Sequence, residues 1–67
     1  QRLIRARIVK EPPDNCGYEY YKKGDVIYVL PLIMPTGRKT FMQWNPKVGN
    51  FLLWTKDDLR RIKDEKS

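Results

Sequence analysis

Tyr21-Lys22-Lys23-Gly24-Asp25-Val26-Ile27-Tyr28-Val29-Leu30 is the stretch whose reading decides the fold. Gly24 tolerates the positive φ that a sharp chain reversal requires. Asp25 beside it can accept hydrogen bonds from nearby backbone. The run Asp25 to Leu30 is β-branched and aromatic, bounded by Gly24 and Pro31, and reads as a strand with Ile27 and Val29 entering a core.

Working outward, Leu3 to Val9 alternates: Ile4, Ala6 and Ile8 point one way, Arg5 and Arg7 the other. A period of two marks a half-buried strand. Thr40 to Trp44, the loop Asn45-Pro46-Lys47, and Val48 to Leu53 read as a hairpin, with Asn and Pro supplying the turn chemistry. Lys10 to Tyr21 holds Pro12-Pro13-Asp14-Asn15 and Gly17, which argue against a helix and for a long excursion. Pro31 to Lys39, with Pro35-Thr36-Gly37, reads as a connection between strands. Thr55-Lys56-Asp57-Asp58 predicts a capped helical turn near the C-terminus, with Leu59 and Ile62 packing back on the core. Residues 1–4 are expected to flank a domain over 5–62, and residues 63–67 to form a charged, mobile tail.

Composition narrows the function. Sixty-seven residues make at most one domain, and a chain this short buries only about 60% of its unfolded surface. No apolar run of about 18 residues appears, and Gln1 to Arg5 lacks the features of a signal peptide. A chain that opens on Gln1 rather than Met is expected to be a piece of a longer protein. Cys16 is the only cysteine and histidine is absent. No disulfide framework, metal site or cofactor is therefore expected, and a cytoplasmic setting fits best. The commonest general base is missing, and the only serine is the terminal Ser67. The expectation is a binding module, not an enzyme.

Taken in order, Arg5-Ala6-Arg7-Ile8, the Tyr21-to-Leu30 segment, Lys47-Val48-Gly49-Asn50-Phe51, and the pair Leu59 and Ile62 resemble a Src-homology-3 (SH3) domain over most of the chain. The resemblance implies an all-β fold: a small SH3-like barrel of about five short antiparallel strands, with one short helical turn near the C-terminus. It implies that Phe51 is buried. It also implies a degenerate proline-peptide groove. The first motif, Ala6-Arg7-Ile8-Val9-Lys10, has no aromatic residue, and Lys39 or Thr40 stands where the family has a tryptophan. Leu52 stands at the groove proline, and Thr55 or Asp58 at its tyrosine. Proline helices dock between aromatic walls, so ordinary proline-motif binding is expected to be weak or absent. The family's preference for an apolar residue two before Tyr21 meets Glu19 here, between Tyr18 and Tyr20.

The candidate contact residues follow from this reading. Trp54 and Leu52 are expected on the surface, and Trp44 is read as packing at the end of the barrel, on the same face as Met42. Leu32-Ile33-Met34, between two prolines, reads as an apolar loop that either folds back or meets a partner. Tyr18, Tyr20 and Tyr21 with Glu11, Asp14 and Glu19 form an acidic aromatic arm. The expected partner is another protein or a segment of the same chain. The net charge of +6, from 14 basic and 8 acidic residues, raises a second expectation: a phosphate-binding surface for nucleic acid or anionic lipid built from Arg5, Arg7, Lys39, Arg60 and Arg61.

Overall fold

The computed structural model describes residues 3–63. Gln1 and Arg2 of the expected flank, and residues 64–67 of the expected tail, lie outside the described residues. Five strands follow one another: β1 (Ile4–Ile8), β2 (Val26–Ile33), β3 (Lys39–Asn45), β4 (Asn50–Thr55) and β5 (Leu59–Arg61). All pairings are antiparallel, in the order β4-β3-β2-β1-β5. The architecture is all-β, as the alternating patterns predict, and SH3-like, as the resemblance implies.

β2 is the strand shared by both ladders. Its first half pairs with β1, from Arg7↔Val26 to Ile4↔Val29. Its second half pairs with β3, from Leu30↔Met42 to Ile33↔Lys39. This partner change explains an element that the sequence conceals. Leu32 and Ile33 are not loop residues; they continue β2 through Pro31. Met34 N–H donates to the Arg38 carbonyl at 2.8 Å, so even-numbered residues of β2 bond toward β3 and odd-numbered ones toward β1. Pro31 is odd, and β1 begins only at Ile4, opposite Val29. The position that lacks an N–H therefore faces the side where, among the described residues, no partner strand runs, as proline in a strand requires.

The turn before β2 closes as expected. Asp25 N–H donates to the Lys22 carbonyl at 3.1 Å, and Asp25 Oδ2 accepts from Lys22 N–H at 3.0 Å. Gly24 takes φ 100° at the third position, where only glycine sits without strain. Its N–H reaches the Ile8 carbonyl at 2.7 Å, which stitches the turn to β1.

The helical element lies elsewhere than expected. A single 3₁₀ turn forms in the arm, at Tyr18–Tyr20, and residues 56–58 are a plain turn. Asp58, not Thr55, does the capping: its Oδ2 accepts from Thr55 N–H at 3.0 Å and from Thr55 Oγ1 at 2.9 Å. The Asp58 carbonyl is already held by Val9 N–H at 2.8 Å, so the chain enters β5 at once and no helix can extend. Leu59 and Ile62 consequently do not share a face. Leu59 pairs with Ile8 on the core side, whereas Ile62 lies beside Arg5.

The core is Ile8, Ile27, Val29, Leu52 and Trp54, with Ile4, Tyr18, Tyr21, Phe41 and Leu59 packed against it. Each fully buried aliphatic side chain contributes about 1.5–3 kcal/mol. Ile8→Ala is expected to cost about 2–5 kcal/mol in urea unfolding. Ile33→Ala, at a residue 67% exposed, should stay within about 0.5 kcal/mol. Equal losses at the two sites would contradict this assignment of inside and outside.

Candidate functional site

Strand parity decides which residues of β4 can meet a partner. Asn50 to Thr55 reads Asn-Phe-Leu-Leu-Trp-Thr, apolar on both faces, and the chain resolves it by burying Leu52 and Trp54 at 4% and 2% exposure. Both residues were expected on the contact surface, and both belong to the core. Phe51, expected inside, is half exposed. The shift has a chemical cause. Trp54 Nε1 donates to Gln43 Oε1 at 3.2 Å, and Gln43 Nε2 donates to the Tyr21 hydroxyl at 2.7 Å. An indole with its N–H satisfied can be fully buried. The rings of Tyr18 and Tyr21 meet Trp54 edge-on, at centroid distances of 5.1 and 6.0 Å.

These contacts dock the arm. Gly17 (φ 95°) opens the 3₁₀ turn, and a Cβ there would lie 3.1 Å from both Leu52 and Val48 side chains. The turn resolves the misfit at Glu19. It sends Tyr18 and Tyr21 inward and leaves Glu19 outside, its Oε1 accepting from Gly17 N–H at 2.8 Å. Asn45, fully buried, donates through Nδ2 to the Gly17 carbonyl at 3.3 Å and accepts from Lys47 N–H at 3.0 Å. Tyr20 is half exposed, with Lys47 Nζ 5.6 Å from its ring centre. Glu11 and Asp14 are exposed beside it, lining an open hollow with Pro12 and Pro13.

The arm also covers the free edge of β4. Tyr18 Oη accepts from Leu53 N–H at 3.1 Å and donates to the Leu53 carbonyl at 2.6 Å. Phe51 N–H is taken by Asn50 Oδ1 at 2.8 Å, and Thr55 N–H by Asp58. Every outward N–H of this edge strand is thus occupied, which blocks the addition of another strand there.

Residues opposite Leu52 and Trp54 in parity form the outer face of the sheet. Met42 stands between Leu30 and Leu53, and Trp44 is paired with Phe51. Trp44 and Phe51 touch edge to face at 5.0 Å. Tyr28 continues the same face of β2 one step beyond Leu30. Tyr28, Trp44, Phe51 and Leu53 are 55%, 51%, 51% and 40% exposed, with Leu30 and Met42 half-buried between them. Trp44 shares Met42's face as the sequence suggests, but it faces solvent instead of packing into the barrel end. Sequence reasoning missed Tyr28, Leu30, Phe51 and Leu53 as surface residues. Of the expected apolar loop, Leu32 and Met34 are half-buried and Ile33 is exposed at the end of the hairpin.

The basic residues divide. Arg7 is paired with Arg60, and Arg5 is two residues along the same outward face. Arg7 also donates to the Gly24 carbonyl at 3.0 Å. Arg61 pairs with Ala6 and lies on the opposite side of β5, and Lys39 stands at the far end of β3, across from Ile33. The five therefore do not form one site. Among the described residues no group of acids and cysteine has the spacing to hold a metal, and no helix is long and apolar enough to cross a membrane.

Asn45→Ala would strand the Gly17 carbonyl and Lys47 N–H. It is expected to cost about 2 kcal/mol or more in chemical denaturation, whereas Tyr20→Ala should leave stability within about 0.5 kcal/mol. A neutral Asn45→Ala would mean that the arm is not anchored there. No family model, curated protein or solved structure matches the chain, so the reading of this surface rests on its own geometry.

Proposed function

We propose that this chain is a non-catalytic protein-interaction module that docks its partner on the outer face of β2, β3 and β4. The observation that carries the reading is the contiguous patch Tyr28, Leu30, Met42, Trp44, Phe51 and Leu53, held out of the core by strand parity. Aromatic residues, methionine and arginine are the types enriched at protein interfaces, and a continuous apolar patch marks such a site. The absence of histidine supports a role without catalysis. The resemblance to Src-homology-3 domains fits an adaptor element of a larger cytoplasmic signalling or scaffold protein, diverged in its ligand.

The geometry favours a partner other than a proline-rich peptide. Of the four exposed aromatic rings, Trp44 and Phe51 close on each other edge to face, Tyr28 lies on β2 on the far side of Leu30, and Tyr20 stands apart on the arm. Two rings in mutual contact leave no slot for a proline ring between them. Outward strand residues bring Arg5, Arg7 and Arg60 next to the patch and no carboxylate. A partner segment that combines apolar side chains with acidic ones matches both features.

One observation favours a second reading. Arg7 and Arg60 face each other across adjacent strands, and like charges so placed repel. A phosphate of nucleic acid or an anionic lipid head would relieve that repulsion.

Trp44 reports on the site directly, because its ring is half in water while Trp54 is buried. Titration with acidic, leucine-rich peptides should shift Trp44 emission to the blue and shield it from iodide. Trp44→Ala should weaken binding by about 2 kcal/mol, roughly 30-fold, with the fold retained. Binding confined to DNA or anionic vesicles, falling steeply with log[salt] and indifferent to Trp44→Ala, would replace this reading with the phosphate one.

A further inference from the structure

The two edges of the sheet are finished differently. Along β4, Asn50, Tyr18 and Asp58 occupy the outward N–H groups. Along β5 no described residue gives the backbone such cover. Val9 N–H donates to the Asp58 carbonyl and Ile62 N–H to the Arg5 carbonyl. Asp58, Arg60 and Ile62 therefore bond toward β1, and the N–H and C=O groups of Leu59 and Arg61 face away from it. None of the hydrogen bonds among the described residues takes them.

A cleft of about 260 Å³ opens beside this edge. Buried Ala6 and Val29 form its floor, Phe41 and Leu59 its walls, and exposed Lys56 and Arg61 its mouth. The volume falls below the roughly 300–1,000 Å³ of a drug-sized ligand site, so the cleft fits one apolar side chain. A bare strand edge over an apolar hole is the layout of strand addition, in which main-chain bonds give affinity and pockets read alternate side chains. Arg61 sets the selectivity. It points to the same side as Leu59, two residues away; a cation so placed repels a basic strand, and an uncharged one would cover it without supplying a counter-charge.

We propose that β5 and this cleft take an extended acidic peptide as a sixth strand. One aliphatic side chain enters the cleft beside Leu59, and a carboxylate two residues away in the peptide meets Arg61, with Lys56 at the mouth. The two-residue spacing follows from the period of a strand. The site lies on a different side of the sheet from Trp44 and stands or falls independently of the outer face.

The probe is the acetylated, amidated pentapeptide Thr-Leu-Thr-Glu-Thr, titrated into the isotope-labelled full chain and followed by amide chemical shifts and hydrogen exchange. Leu59 and Arg61 amides should shift and gain protection, with smaller changes at Ala6 and Val29 and none at Trp44 or Phe51. Replacing the peptide's glutamate by lysine should weaken binding about tenfold or more, and Arg61→Glu should reverse that preference. Should that variant unfold, Thr-Thr-Leu-Glu-Thr, with the two groups on opposite faces, serves as the control and should bind poorly. Absence of shifts at millimolar peptide, equal binding of the spacing variant, or perturbation without protection of Leu59 and Arg61 would each overturn the proposal.

Discussion

The indole of Trp54 is the contact on which the other placements depend. Once its N–H is bonded to Gln43 and its ring lies under Tyr18 and Tyr21, the parity of β4 has no freedom left. Leu52 must follow it inward, and Phe51 and Leu53 must turn outward. The β3–β4 register carries the same decision across to Met42 and Trp44, and the β2–β3 register carries it on to Leu30. A one-residue slip would exchange every side chain between the two faces. It would then place Phe51 inside with no polar group to anchor and leave the buried amide of Gln43 without the indole. The exposed apolar face is in this sense a consequence of satisfying one N–H.

Polar groups inside so small a barrel would ordinarily weaken it, since burying an unpaired amide costs about 1–3 kcal/mol. Here Gln43, Asn45 and Thr40 are buried but partnered: Gln43 with Trp54 and Tyr21, Asn45 with Gly17 and Lys47, Thr40 with the Leu32 carbonyl. No buried side-chain nitrogen or oxygen among the described residues lacks a partner. Two of the three reach the arm. A core of about five side chains cannot hold a long irregular excursion by apolar contact alone. Directional bonds fix its path where area is short, and the arm in return closes the edge of β4 through Tyr18.

This division explains which parts of the fold were legible in the sequence. The alternation of β1 and the turn at Lys22 to Asp25 each carry a local rule, and both form as read. Phe51 to Trp54 carries no rule, because four large apolar residues in a row hide a period of two; the parity is settled by Gln43, eleven residues earlier. Leu32 and Ile33 read as a loop because Pro31 breaks most strands. Its tolerance here depends on where β1 happens to begin, which no local pattern contains. The 3₁₀ turn was obscured by the surrounding prolines and glycines, and it forms because buried Asn45 grips the Gly17 carbonyl from a distant hairpin. The site suffered most, since surface membership along β4 inverts with parity.

The exposed face raises a question of self-association, because contiguous apolar patches on a small domain invite pairing of copies. Charge argues against it. The chain carries +6, and Arg5, Arg7 and Arg60 lie on the same side of the sheet as the patch. Two copies meeting face to face about a two-fold axis would bring these rows into one interface, at a repulsive cost that grows as water is excluded. On the proposed reading, an acidic partner would meet the same arginines with the opposite sign, so the residues that discourage a second copy would also select a heterologous ligand. In that proposal the apolar area would supply the attraction and the arginines the discrimination. Neither alone would make this face a specific binding surface.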